Sequence, residues 1–226
     1  MSVIGLDLGG TNIKGGLFRG GKLVKTLHVP SGGKESREAI LAALSKIIHL
    51  LDDGHLEKIG LASAGEIDVE KGVVKLAVNL VGWTGCPVKE ILEKEFQKPV
   101  YVDNDAVGAL VGELSLYPDQ KNVVMLTFGT GVGGACLLDG KIDRSHGLEI
   151  GHMELVKDGR ECFCGKKGCA ERYLSVSALT ADARKALPTL AGSKQLISFY
   201  NRGNPKAVAV MNQYSQWFNL FLNEIG

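Results

Sequence analysis

Side chains that bind metals are concentrated between residues 149 and 171. One histidine precedes three cysteines there, and these four residues are His152, Cys162, Cys164 and Cys169. Three thiolates and one imidazole form a complete four-coordinate structural zinc set, and Gly165 and Gly168 would let the loop fold back around the ion. The alternative is a loop with three reduced thiols, but Cys-x-Cys followed by a third cysteine five residues later is a specific pattern. The stretch therefore predicts a structural zinc loop.

Two carboxylates flank this loop. Glu149 lies three residues before the histidine, and Glu171 lies two residues after Cys169. An imidazole that binds zinc through one nitrogen presents the other as an N–H donor, and carboxylates accept hydrogen bonds from hydroxyl groups. Because a metal would fix both acids, we expect the loop to form the wall of a polar site that suits a polyhydroxylated ligand such as a sugar.

Two glycine turns recur along the chain. The first follows the strand that ends at Asp7 and contains Gly9, Gly10, Thr11 and Asn12. Glycines let backbone N–H groups approach an anion closely, although a plain hairpin is the alternative. The second turn follows an apolar strand at residues 122–128 and begins Gly129-Thr-Gly. This echo predicts two related α/β domains, residues 1–117 and 118–226, that grip phosphates in a cleft between them.

A further acidic cluster follows a strand at residues 100–102. Asp103, Asn104 and Asp105 precede an Ala- and Gly-rich helix that we expect to reach about residue 117. Strand ends of this kind often carry catalytic carboxylates, whereas helix capping is the alternative. Periodic apolar residues predict other helices at residues 35–51, 87–96, 175–185 and 204–224. Trp83, in a loop, could belong equally to the core or to the cleft.

Composition excludes several classes of function. The net charge is +1, and Lys and Arg are scattered, so neither nucleic acid nor an anionic membrane is an expected partner. No secretory segment follows Met1, and the longest apolar run, residues 39–51, is too short to span a bilayer. We expect Cys86 and Cys136 to be small apolar residues, in the core or near the surface, in a reducing compartment, and the protein to be cytoplasmic. A phosphate-loop match at residues 16–22 is false, because Leu23 replaces the required Ser or Thr.

Taken together, the motifs resemble the ROK family (repressor, open reading frame, kinase) along the whole chain. They are Asp7-Leu-Gly-Gly-Thr-Asn, Asp103-Asn-Asp-Ala, Gly129-Thr-Gly-Val-Gly-Gly, Glu149-Ile-Gly-His and Cys162-x-Cys164-Gly-x-x-Gly168-Cys169-x-Glu171. The resemblance implies the two-domain actin-like ATPase (ribonuclease H-like) fold. It also implies phosphorylation of a hexose or N-acetylhexosamine by Mg-ATP, most simply at the 6-hydroxyl, as in glucokinases.

The resemblance also implies roles for individual residues. Asp105 would be the general base, and Asp7 would position Mg²⁺. The sugar would be bound by Asn104, Asp105, Glu149, His152 and Glu171, with Gly65 and Asn79 in loops that line the same pocket. Zinc would be held by His152, Cys162, Cys164 and Cys169. The phosphates would be surrounded by Gly9, Gly10, Thr11, Asn12, Lys14, Gly129, Thr130 and Gly131.

Two departures from the family pattern affect these expectations. The first glycine hairpin begins at residue 3, so a DNA-binding repressor is not expected. Relatives also continue into an adenosine-binding segment that the residues up to Gly226 do not supply. The alternative function is a non-catalytic sugar sensor or regulatory protein of the same family, and we expect a homodimer or a higher homo-oligomer. A zinc finger that reads nucleic acid would need a basic face and a recognition helix, and the chain offers neither.

Overall fold

A computed structural model describes residues 2–144 and 147–225. The chain divides into two compact units, Met1–Asp119 (unit 1) and Gln120–Gly226 (unit 2). Among the described residues, no helix combines the length and the apolar composition needed to cross a bilayer.

Unit 1 is a mixed five-stranded sheet with helices. In chain order its elements are β1 (Ser2–Leu8), β2 (Asn12–Arg19), β3 (Lys22–Pro30), α1 (Arg37–Leu51), β4 (Leu56–Ser63), β5 (Glu66–Asp68), β6 (Val73–Leu76), α2 (Val88–Phe96), β7 (Val100–Asn104) and α3 (Asp105–Leu114). The large sheet has the order β3-β2-β1-β4-β7, and β5 pairs with β6. Strand β2 pairs antiparallel with both β1 and β3, whereas β4 pairs parallel with β1 and β7 pairs parallel with β4.

Helix α1 shows how the apolar pattern builds this unit. Its side chains Ile40, Leu44, Ile47, Ile48 and Leu51 recur at helical spacing and are all buried. Burial of each stabilises the fold by about 1.5–3 kcal/mol. The helix begins after Ser36, whose hydroxyl accepts a hydrogen bond from the N–H of Ala39. It lies close to β2, since a Cβ on Gly15 would be 2.6 Å from a methyl carbon of Leu51.

Unit 2 begins with a three-stranded antiparallel sheet and continues into helices. Its elements are β8 (Val123–Phe128), β9 (Val132–Leu138), β10 (Lys141–Asp143), a 3-10 helix (Gly147–His152), α4 (Glu171–Leu174), α5 (Val176–Ala186), α6 (Ser193–Asn201) and α7 (Pro205–Ile225). The strand order is β10-β9-β8. Its central apolar cluster includes Val132, Ile150, Tyr173, Leu174 and Phe221.

Both units therefore open with the same arrangement, an antiparallel meander of three strands with a glycine turn between the first two. The helices expected from periodicity are present with boundaries shifted by a few residues, and α3 ends at Leu114 rather than near residue 117. The sequence analysis identified neither α6 nor the short elements α4, β10 and the 3-10 helix. Cys86 and Cys136 are buried free thiols, as expected.

Candidate functional site

The carboxyl ends of three parallel strands bring the polar residues of unit 1 together. Strand register aligns Asp7 of β1 with Ala62 of β4, and Ala62 with Asp103 of β7. Asp105 follows β7 as the first residue of α3. The first glycine turn leaves β1 at the same edge. Residues nearly one hundred positions apart in the sequence thus share one edge of the sheet.

Two neighbouring segments contact the first glycine turn, residues 9–12. It closes with a hydrogen bond from the N–H of Gly9 to the carbonyl of Asn12, N to O 3.0 Å. The carbonyl of Thr11 accepts from the N–H of Ser31, and a Cβ on Gly33 would lie only 2.9 Å from the carbonyl oxygen of Gly10. The loop that contains Asn79 also lies near the turn, since a Cβ on Gly10 would be 3.7 Å from the carbonyl oxygen of Asn79. The turn is therefore held in one shape by its surroundings.

Asp7 and Lys14 are direct cross-strand partners in β1 and β2. The ammonium nitrogen of Lys14 lies 3.3 Å from Oδ2 of Asp7, and both side chains are substantially exposed. An exposed ion pair of this kind contributes at most about 1 kcal/mol, so a stronger charge can separate it at little cost. The pair therefore places one cation and one anion beside the glycine turn, and both are free to exchange partners.

Asn104 serves mainly to hold the local backbone. Its Oδ1 accepts from the N–H groups of Ala106 and Val107 and so caps α3. Its amide nitrogen donates to the carbonyl of Gly65 at 2.9 Å, which leaves one amide hydrogen for another partner. Gly65 has φ +109, and a Cβ there would lie 2.3 Å from the carbonyl oxygen of Leu76. Only glycine fits this position.

Asp105 has the electrostatic character of a proton acceptor. Burial raises the pKa of its carboxyl group, and the nearby Asp7 carboxylate raises it further, whereas the N–H of Ala106 acts in the opposite direction. The net shift is upward from the ordinary aspartate value of 3.8. A half-buried carboxylate with a raised pKa holds a proton more strongly than an ordinary aspartate does, which suits general base catalysis.

Trp83 belongs to the core and not to a cleft. Its side chain is fully buried. Its indole N–H donates to the hydroxyl oxygen of Ser63, at the carboxyl end of β4, with an N to O distance of 3.0 Å. Trp83 thus anchors the loop of residues 79–84 against the strand that lies between β1 and β7.

In unit 2 the predicted metal ligands converge. The ligand atoms of His152, Cys162, Cys164 and Cys169 all lie within 4.8 Å of one another. The sulfurs of Cys164 and Cys169 are 3.6 Å apart, and the sulfur of Cys162 is 3.6 Å from Nδ1 of His152. Zn–S bonds of about 2.3 Å in a tetrahedron place two sulfurs about 3.8 Å apart, so this set has the dimensions of a zinc site. The four residues could therefore hold a metal ion.

The two carboxylates that flank this cluster have different surroundings. Glu149 is exposed, and its Oε2 lies 4.0 Å from Nε2 of His152, the ring nitrogen that faces away from Cys162. Glu171 is only 8% exposed. Its Oε2 accepts from the backbone N–H of Val132, at the end of the second glycine turn. The sequence predicted that both acids line one polar site. The structure shows in addition that Glu171 bonds to the backbone of Val132, which the spacing of the sequence did not indicate.

A groove of about 460 Å³ lies beside the second glycine turn. It is lined by Gly129, Thr130, Val176, Ser177, Thr180 and Arg184. The N–H of Val176 donates to the carbonyl of Gly129, so the start of α5 and the turn are joined directly. Thr180 already donates its hydroxyl hydrogen to the carbonyl of Val176, and Arg184 donates through Nε and Nη2 to the carbonyls of Leu190 and Ala191. The guanidinium keeps further N–H groups that could donate to an anionic ligand. The sequence analysis had assigned no site to α5.

Proteins of known function match most of this sequence. The model of the ROK family matches residues 3–225. The chain is 32% identical over 212 residues to a glucokinase of Streptomyces coelicolor, covering 91% of this chain and 66% of that protein. It is 27% identical over 222 residues to an N-acetylmannosamine kinase of Vibrio cholerae, covering 96% of this chain and 76% of that protein. The chain thus spans just under two thirds of the length of the Streptomyces glucokinase.

Among solved structures, a ROK family glucokinase from Streptomyces griseus in complex with glucose and AMPPNP is similar, with a TM-score of 0.84 and 30% identity. The match covers the whole of this chain and 79% of that one. These neighbours confirm a mixed α/β fold of the actin-like ATPase type, as the motifs predicted. The chain therefore belongs to the ROK family.

Proposed function

We propose that the protein phosphorylates the hydroxyl group of a hexose or N-acetylhexosamine with Mg-ATP. The observation that carries this proposal is Asp105, a carboxylate with a raised pKa at the carboxyl edge of the parallel strands, in a chain of the ROK family. The Streptomyces relatives are glucokinases and the Vibrio relative is an N-acetylmannosamine kinase, which supports a sugar as the acceptor.

The chemistry assigned to unit 1 is proton transfer and charge neutralisation. Asp105 accepts the proton from the sugar hydroxyl as the hydroxyl oxygen bonds to the γ-phosphorus of ATP, while the bond from the γ-phosphorus to the β–γ bridging oxygen breaks and ADP leaves. Phosphoryl transfer otherwise requires positioning and neutralisation of charge. The N–H groups of residues 10–12 and the ammonium of Lys14 would face the negative charge of the phosphates, and Asp7 would hold the Mg²⁺ that accompanies the nucleotide. Asn104, with Gly65 and Asn79 nearby, contacts the sugar through its remaining amide hydrogen.

Unit 2 supplies the remaining contacts in this proposal. His152, Cys162, Cys164 and Cys169 hold a structural zinc ion, which stabilises the loop and takes no part in the reaction. The ring nitrogen Nε2 of His152 then carries a hydrogen, and together with Glu149 and Glu171 it binds sugar hydroxyl groups. The peptide groups of Gly129, Thr130 and Gly131 and the adjacent groove contact the nucleotide.

A panel of sugars in an ADP-release assay tests this proposal. Glucose, mannose, fructose, N-acetylglucosamine and N-acetylmannosamine are each supplied with Mg-ATP, and 6-deoxyglucose serves as the control without an acceptor hydroxyl at carbon 6. We expect ADP release above the sugar-free rate with at least one sugar and none with the deoxy compound. A sensor of the same family would bind a sugar in titration calorimetry without releasing ADP, and that result would overturn the kinase assignment.

A further inference from the structure

The second glycine turn (residues 129–132) contacts the metal-ligand loop (residues 149–171). The N–H of Val132 donates to Oε2 of Glu171, N to O 3.0 Å, across 39 residues of sequence. A Cβ on Gly131 would lie 2.2 Å from the same carboxylate oxygen. The carboxylate therefore lies directly against the backbone of residues 131–132, and a side chain at residue 131 would displace it.

A second contact joins the same turn to the segment that carries His152. A Cβ on Gly151 would be 2.0 Å from the carbonyl oxygen of Val132. The two arms of the loop are also joined to each other, since the N–H of Ala170 donates to the carbonyl of Met153 at 2.9 Å. Val132 thus donates its N–H to Glu171, two residues after Cys169, and its carbonyl lies against Gly151, the residue before His152.

We infer that Glu171 is a positioning residue that ties the turn of residues 129–132 to the metal-ligand loop, so that metal occupancy sets the geometry of this backbone. The assumption that residues 129–132 contact nucleotide phosphates rests on the proposed function. The contact between Glu171 and Val132 does not. One carboxylate oxygen holds Val132, and the other remains for a ligand hydroxyl group. Glu171 consequently connects the binding of a sugar to the arrangement of the peptide groups that contact nucleotide phosphates.

Hydrogen exchange of the Val132 amide tests the link directly. It is measured by NMR on the full chain, first loaded with zinc and then after removal of the metal with a chelator. We expect exchange to accelerate about tenfold on metal removal, because an amide loses a hydrogen bond to a charged acceptor. An unchanged rate at Val132 would overturn the inference.

Two substitutions at Glu171 separate its roles. Glu171→Gln keeps an acceptor oxygen for Val132, so the zinc-loaded variant should retain slow exchange and an unchanged KM for ATP, while the KM for the sugar rises. Glu171→Ala should lose the protection of Val132 and raise both KM values. An unchanged KM for ATP in Glu171→Ala, with slow exchange at Val132, would show that the carboxylate does not position the turn.

A substitution at Gly131, which contacts Glu171, tests the inference even if the Glu171 variants do not fold. Gly131→Ala places a methyl group on the carboxylate and should accelerate Val132 exchange in the zinc-loaded chain. Gly192→Ala is the matched control, because nothing lies within 4 Å of its Cβ position. Equal exchange in the two alanine variants would contradict the inference. Failure of the proposed function would appear separately, as the absence of sugar-dependent ADP release by the zinc-loaded wild type.

Discussion

At the scale of single residues, Asp105 shows how local structure sets acidity. The carboxyl group is half-buried at the start of α3, where burial and the Asp7 carboxylate both disfavour its ionised form. Ionisation of this group therefore costs folding free energy. Stability does not explain a group whose ionisation opposes folding, so the position of Asp105 at a strand end is consistent with a chemical role.

The pH dependence follows from the direction of this shift. The folded protein holds the Asp105 proton more tightly than the unfolded chain, so the stability associated with this group falls as pH rises from the ordinary value of 3.8 through the raised folded value. We expect ¹³C NMR titration of the Asp105 carboxyl to give a midpoint above 3.8, and Asp7→Asn to lower it by removing a like charge. A midpoint that does not respond to Asp7→Asn would contradict this account.

Single residues also show what sequence can reveal. The four candidate metal ligands could be predicted from the sequence because they are close together in the chain and their chemistry is specific. The burial of Trp83 and the bond from Val132 to Glu171 could not be predicted, because they depend on partners 20 and 39 residues away. The pattern Asp-Asn-Asp indicated a functional strand end. Only the structure shows that Asn104 caps α3, whereas Asp105 is the carboxylate with the raised pKa.

At the scale of elements, the metal-ligand loop depends on backbone geometry as much as on its ligands. Gly165 has φ +87 and Gly168 has φ +74, so both adopt a left-handed conformation. Their surroundings differ. A Cβ on Gly168 would lie 1.8 Å from the carbonyl oxygen of Val156, whereas nothing lies within 4 Å of that position on Gly165. The loop is therefore packed closely at one of its two glycines.

These two glycines provide a matched pair of variants. Gly165→Ala should cost about 1 kcal/mol, because only conformational strain is added. Gly168→Ala adds a steric clash with backbone and should cost several kcal/mol in urea unfolding and lower the bound zinc measured by atomic absorption. Equal losses of stability in the two variants would show that the close approach to Val156 is unimportant.

The metal ligands themselves give a second prediction for this element. Cys164→Ser should lower zinc content and weaken sugar binding in titration calorimetry together, because His152 and the two flanking acids lose their common support. Glu161→Gln, an exposed neighbour in the same loop, is the control and should change neither quantity. Retention of both zinc and sugar affinity in Cys164→Ser would show that the loop is not the metal site that supports sugar binding.

At the scale of the whole molecule, the repeated meander was predictable and several helices were not. The two glycine turns follow apolar strands with the same local pattern, so β1–β2 and β8–β9 could be recognised from sequence. Helix α6 was missed because it is short and only Leu196 is buried along it. The contact between the second glycine turn and the metal-ligand loop could not be predicted from the sequence, because it joins segments that are distant in the chain.

The central claim is that Asp105 is the general base of a sugar kinase. The decisive measurement compares turnover, sugar affinity and melting temperature in Asp105→Asn and in the exposed control Asp119→Asn. We predict that Asp105→Asn lowers kcat by about 10²–10⁴-fold while sugar affinity is retained and the melting temperature at neutral pH is equal or higher. Asp119→Asn should match the wild type. Unchanged turnover in Asp105→Asn would contradict the account.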